Sequence, residues 1–277
     1  MAISGLNKIT VWLDELAPGQ GTFAHALDWA TMLHLPLHAL VPVGRNGWPL
    51  PAETIAACAS ACSWNGVSWN YSHQDPNRNF DPDAKRGDSD GLLVMGGAIP
   101  VGLQRRLFRE AIHRPQIGPL LCSRSWEYLR RILVVNEGRS PGCGFLEAVA
   151  RICSDLSAPV AVLTVAHADE DARHRQQLAE EVFAAHGVRA DFHVVVGSDV
   201  SSAISVVGNW RRCSHVFVEK IAASPMRRLL GRRMGDQVLE LSDTFSFLPI
   251  PGTGLVNGGA AQDEAIERAL SAAAAGG

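Results

Sequence analysis

The sequence predicts an α/β protein built from parallel βαβ units, with the unit occurring twice. Short β-branched runs alternate along the chain with segments of helical apolar period. "ITVWLD" (9–14) matches "ILVVNE" (132–137) and "LLVMG" (92–96) matches "HVFVE" (215–219), both at a spacing of 123 residues, and "NGVSWNYSH" (65–73) resembles "HGVRADFHV" (186–194) at 121. With 277 residues, 47% of them apolar, the chain is long enough for one large core or two of ordinary domain size.

The second copy shows its elements most clearly. Strand one is expected at 132–136. Helix one spans "GCGFLEAVARICSDL" (142–156), where Phe145, Val149, Ile152 and Leu156 recur at helical spacing. Strand two, "VAVLTVA" (160–166), is apolar on both faces, as a central parallel strand must be. Helix two covers 170–187 and ends at Gly187, which adopts a left-handed cap cheaply. Strand three is "ADFHVVV" (190–196). "GSDVSSAISVVGNW" (197–210) opens with Ser198 or Asp199 as cap and carries the stripe Val200, Ala203, Ile204 and Val207. Strand four is 215–219, helix four follows within 218–240, and strand five is "FSFLPI" (245–250).

The first copy keeps this order with one loss. "QDPNRNFDPDAKRGDS" (74–89), between strands three and four, has two prolines and no helical period, so the third helix is missing there. Helix four returns as "VGLQRRLFREAIHRP" (101–115) and strand five as "GPLLCSR" (118–124). The expected domains are 1–126 and 127–250, followed by a Gly- and Ala-rich tail over 251–277.

Composition narrows the function. A formal net charge of -3 provides no field to gather nucleic acid or an anionic membrane. No apolar run approaches the ~20 residues of a spanning helix, and the first ten residues lack the build of a signal peptide. A cytoplasmic protein is expected. The six cysteines are scattered through a large chain and are read as buried thiols, not a disulfide framework.

Five strands in βαβ order, with the pattern "GVRADFHVVVGSDVSSAISVV…CSHVFVE", closely resemble the universal stress protein family, loosely over 8–124 and well over 130–250. The resemblance implies a Rossmann-like, doubly wound open parallel sheet of five strands in each half. It also implies pairing through the fifth strands, so that the two halves form a pseudo-dimer within the chain; a homo-oligomer is the second possibility. Family members that bind ATP place an Asp at the end of strand one, a Val at the end of strand two, and a loop G-x2-G-x9-G-[ST] after strand four. Such glycines let the backbone approach phosphate oxygens, to which loop and helix amides donate.

Carried onto this sequence, the motif is incomplete in both copies. Asp14 and Gly96 match in the first, where Ile99 and Arg109 stand near the later glycines. In the second, Glu137 replaces the Asp and Val165 holds the strand-two position. Glu219 and Ala222 replace the first two glycines, and Gly231-Arg232 stands for the final pair after a one-residue contraction. A carboxylate at 219 opposes a triphosphate. Arg227, Arg228, Arg232 and Arg233 with Lys220 either hold a phosphate by side chains or pair with Glu219, Asp236 or Glu240 on a solvated helix face.

Other candidates have plainer readings. "DPNRNFDPD" (75–83) alternates oxygen ligands as a calcium loop does, but Phe80 and Arg86 stand where that loop needs Gly and Glu; it is read as a solvated loop. Cys58 and Cys62 share a helix face without a second ligand pair, and His167 and His174 flank an acidic turn; neither is assigned a metal. Trp12 and Trp69 are read as core or interface. No nucleophile elbow, P-loop or zinc-protease motif is present.

The expectation is a regulatory or stress-adaptation protein, not an enzyme. It works through an unidentified protein partner or small ligand, without a cofactor and with ATP binding lost or weakened. A sensor of ATP or another adenine nucleotide is the first alternative, and an ATP-using enzyme of the adenine nucleotide α-hydrolase-like group the second.

Overall fold

Residues 132–136 and 160–166 are apolar almost throughout, so strands made from them need cover on both faces. The computed structural model describes residues 6–13, 21–42, 50–74, 91–96, 120–123, 128–137, 143–166, 168–197, 199–220, 241 and 244–251. Its strands are β1 (Lys8–Trp12), β2 (Leu37–Pro42), β3 (Trp69–Gln74), β4 (Gly91–Met95), β5 (Leu120–Leu121), β6 (Ile132–Asn136), β7 (Val160–Ala166), β8 (Ala190–Val196), β9 (His215–Lys220) and β10 (Ser246–Pro251). They form one ten-stranded sheet in the order β3-β2-β1-β4-β5-β10-β9-β6-β7-β8. The two expected five-stranded sheets are therefore halves of a single one. β6 and β7 lie inside it, buried at every residue.

Each half has the order three-two-one-four-five, and all pairs are parallel except β5 with β10. The registers coincide: Ile9 stands beside Leu37 and Leu92, and, 123 positions later in each strand, Ile132 stands beside Val160 and His215. The missing third helix of the first half, the fourth helices and the tail fall on residues outside those described.

Five helices are described: α1 (Thr22–Leu33), α2 (Ala52–Trp64), α3 (Gly144–Leu156), α4 (Asp169–Ala185) and α5 (Val200–Trp210). The buried side chains of α1 to α4 join one core cluster with Ile9, Val11, Leu92, Val94, Ile132, Val134 and Phe217. Those of α5 join a second cluster with Leu133, Val135, Val216, Val218 and Phe247. Alternation along each strand thus feeds two opposite layers.

Local chemistry sets the helix ends. Asp199 caps α5 by accepting from the Ser202 amide at 3.2 Å. Gly187, at φ 68°, follows α4 and donates to the Ala184 carbonyl, while Val188 donates to that of Phe183.

The halves meet at a narrow seam. β5 is only two residues long and contacts β10 through the antiparallel pair Leu121–Phe247, supported by the Ser123 amide donating to Ser246 Oγ at 3.0 Å. α1 reinforces the joint from above. Its Trp29 ring lies 6.4 Å from Phe217 and 6.0 Å from His215 of β9, and its His25 lies 6.0 Å from His215.

Candidate functional site

In an open parallel sheet the ligand crevice opens beyond the carboxyl ends of the strands, where the chain order reverses. Here those points lie between β1 and β4 in the first half and between β6 and β9 in the second.

In the first half, Gly96 directly follows β4 and is buried. Asp14 lies outside the described residues, as do Ile99 and Arg109, so only Gly96 of that predicted set is placed.

The second half is better defined. Glu137 directly follows β6, half-buried, and its carbonyl accepts from Arg175 Nη1 of α4. Arg175 is itself held by Asp171, at 2.9 Å from Nε and 2.6 Å from Nη2, and its carbonyl accepts from Asn136 Nδ2 at 3.4 Å. Val165 is the penultimate residue of β7 and packs in the same layer as α5. Gly231 and Arg232 lie outside the described residues, as do Arg227, Arg228 and Arg233. The ends of β6, β7 and β9 therefore bring Glu137, Val165 and Glu219 to one crest.

Glu219 is 9% exposed, and its Oε1 has no hydrogen-bond partner among the described residues. It alternates with Val216 and Val218, which face α5, so it lies with Phe217 on the opposite face, between β10 and β6. Two polar residues that the sequence reading passed over share this face. Asn136, 5% exposed, stands in register with Thr164, fully buried, whose Oγ1 also has no partner among the described residues. Val135 pairs with Val218, so Asn136 comes one step further on beside Glu219. The row runs Ile250, Glu219, Asn136, Thr164 across four strands.

The repeat held the signal for this row. The residues 123 positions earlier are Gly96, Leu13 and Val41, the last two buried and apolar. The fold alone does not require polar groups at these places.

Cys58 and Cys62 are fully buried on α2. Burial pushes the Cys58 thiol up to about 11; burial and then the neighbouring Cys58 push Cys62 up to about 12, which disfavours metal-binding thiolates. The described residues contain no group of three or more His, Cys, Asp or Glu side chains able to hold a metal. None of the described helices is long and apolar enough to cross a membrane. The candidate calcium loop at 75–83 and His167 fall outside the described residues.

No family model matches the chain, and no curated protein matches it. Solved structures do. A universal stress protein from Archaeoglobus fulgidus is similar with a TM-score of 0.58 and 13% identity, over 90% of this chain and 98% of that one. A chain from Pseudomonas aeruginosa UCBPP-PA14, provisionally classed among the universal stress proteins, gives 0.59 at 14% identity, over 90% and 94%. A functionally unknown protein from Pseudomonas aeruginosa PAO1 gives 0.59 at 16%, over the same shares. At such identities likeness speaks for shape: the chain has the fold of the universal stress proteins.

Proposed function

We propose that this chain is a tandem universal-stress-type protein that acts in regulation or stress adaptation, through contacts with a protein or small ligand and not through catalysis, with ATP binding lost or much weakened. The observation that carries this reading is Glu219. At the position of the family's first loop glycine stands a glutamate, nine-tenths buried, whose Oε1 has no hydrogen-bond partner among the described residues. Two unit charges of like sign 4 Å apart repel by about 4 kcal/mol at the effective dielectric of a protein surface. A triphosphate brings several such charges, and the Cβ of residue 219 obstructs close backbone approach.

The shared register offset of 123 and the β5–β10 contact support a duplicated unit whose halves pair as a pseudo-dimer. Six mostly buried cysteines without a disulfide among them fit a reducing cytoplasm.

A second reading, an adenine-nucleotide sensor, is favoured by Gly96, which remains bare at the matching place in the first half. Calorimetric titration with ATP and Mg²⁺ tests both. Under the first reading wild type gives no saturable heat and Glu219→Gly gains binding. Tight wild-type binding, lost in Gly96→Arg, establishes the sensor instead.

A further inference from the structure

We propose that the chain forms a two-fold homodimer through the open edge at β3, which pairs antiparallel with β3 of a second copy about an axis at Tyr71, while α2 of each copy closes the contact from one side.

Edges decide the place. The fifth strands, β5 and β10, are taken up by each other inside the chain, so the described sheet ends at β3 and at β8. An end strand presents a row of unpaired N–H and C=O groups, and charged side chains are a common guard against pairing there. β8 has that guard: its Asp191 is held by Arg131 at 2.7 Å and by Arg211 at 3.5 Å. β3, with the sequence WNYSHQ, carries no Asp, Glu, Lys, Arg, Pro or Gly. The Leu37 amide donates to the Ser68 carbonyl at 2.8 Å, which turns the peptide groups of the even-numbered residues toward β2. Those of Trp69, Tyr71 and His73 therefore face the open edge.

Self-matching decides the occupant. A two-fold contact sets a patch against itself, so like charges on it would meet. With the axis at Tyr71, Trp69 stands opposite His73 of the second copy and Tyr71 opposite Tyr71, and each of these pairs exchanges both of its backbone bonds. All of them lie on the face covered by α2, where Tyr71 is 46% exposed and meets the His73 ring edge-on at 5.7 Å. Aromatic side chains thus meet aromatic ones across the strands, a pairing that stabilises sheets. On the other face Asn70 stands opposite Ser72, an amide against a hydroxyl. His38 fixes both, its Nδ1 bonded to Asn70 Oδ1 and its Nε2 3.0 Å from Ser72 Oγ.

The space is there as well. Ala52, Ile55, Ala56 and Ala59 of α2, with Trp69 and Tyr71, line a groove of about 540 Å³ beside the edge. α2 carries a single charged residue, Glu53, and its small side chains leave room for the Tyr71 ring of the second copy.

A contact of one strand and one helix per copy stands at the small end of interfaces, and a micromolar dissociation constant is expected. Sedimentation velocity on the full chain between about 1 and 200 μM should therefore show the mass rising from one chain to two. Tyr71→Lys sets two ammonium groups against each other and should weaken dimerisation at least about tenfold. Val194→Lys, at an exposed place on β8, should leave it unchanged. Tyr71→Cys checks the register without adding charge: opposed residues of such a pair have Cα atoms about 5.5 Å apart, within disulfide reach. Mild oxidation should then give a covalent dimer that neither wild type nor Val194→Cys forms. Unchanged far-ultraviolet circular dichroism shows that a variant folds, and if Tyr71→Lys does not, Tyr71→Cys decides alone. A chain that stays monomeric across the range overturns the proposal, whether the edge is left open or taken by another segment. So does a dimer that folded Tyr71→Lys leaves intact, or oxidised Tyr71→Cys without the cross-link.

Discussion

His215 makes the native state acid-sensitive in a calculable way. Its ring is 1% exposed at the seam, packed at 6.0 Å from both Trp29 and His25. Nδ1 lies 3.0 Å from Ser214 Oγ, and Nε2 has no hydrogen-bond partner among the described residues. Burial, and after it the charge of His25, push the imidazole down from 6.5 to about 3. A depressed folded-state value means that the unfolded chain binds the proton first. The fold's stability is therefore whole above pH 6.5 and falls by about 1.4 kcal/mol per pH unit below it, until the folded protein also protonates near pH 3. Between pH 7 and pH 5 this one residue removes roughly 2 kcal/mol. Urea unfolding of wild type and His215→Phe at pH 7.5, 6.5, 5.5 and 5.0 reads out His215 together with its coupling to His25, the remaining titrating groups being common to both. Wild type should lose about 2 kcal/mol more than the variant over the range. Parallel pH profiles would refute the reasoning.

Three further outcomes follow from packing and capping. Asp199→Ala removes the acceptor for the Ser202 amide and should cost about 1 kcal/mol, seen as a lower urea midpoint. In Gly208→Ala the new Cβ would sit 2.8 Å from Phe245 Cζ, and Phe245 is 1% exposed with little room to yield. The overpacking penalty of about 1–3 kcal/mol should outweigh the helix-propensity gain of about 1, so the melting temperature falls. Phe247→Ala empties a fully buried site beside Leu121, and a loss of about 3–5 kcal/mol is expected in chemical denaturation.

Elements whose signal is local were legible in the sequence. β6, β7 and β8 begin and end at the residues expected of them, Asp199 caps α5, and Gly187 takes the left-handed conformation after α4. Contacts between distant segments were not. β5 shrinks to Leu120–Leu121, because strand length depends on the partners available and not on the run "GPLLCSR". Nothing near residue 29 announces that Trp29 packs on Phe217, nearly two hundred positions away. The polar row escaped notice because Asn136 and Thr164 are single polar residues inside strands, which periodicity treats as noise; only overlaying the two copies exposes Leu13 and Val41 as their counterparts. Glu219 itself was singled out, but its burial depends on its place between β10 and β6.

Because β5 and β10 meet inside one polypeptide, that junction survives any dilution. It is also released from the bond of symmetry. Two identical subunits would have to present the same residues twice, whereas here His25 and Trp29 meet His215, and the residues 123 positions on from the first two and back from the third are Ala148, Ile152 and Leu92. One flank of the joint is aromatic and titratable while the matching register position is aliphatic, an asymmetry that two identical subunits could not carry.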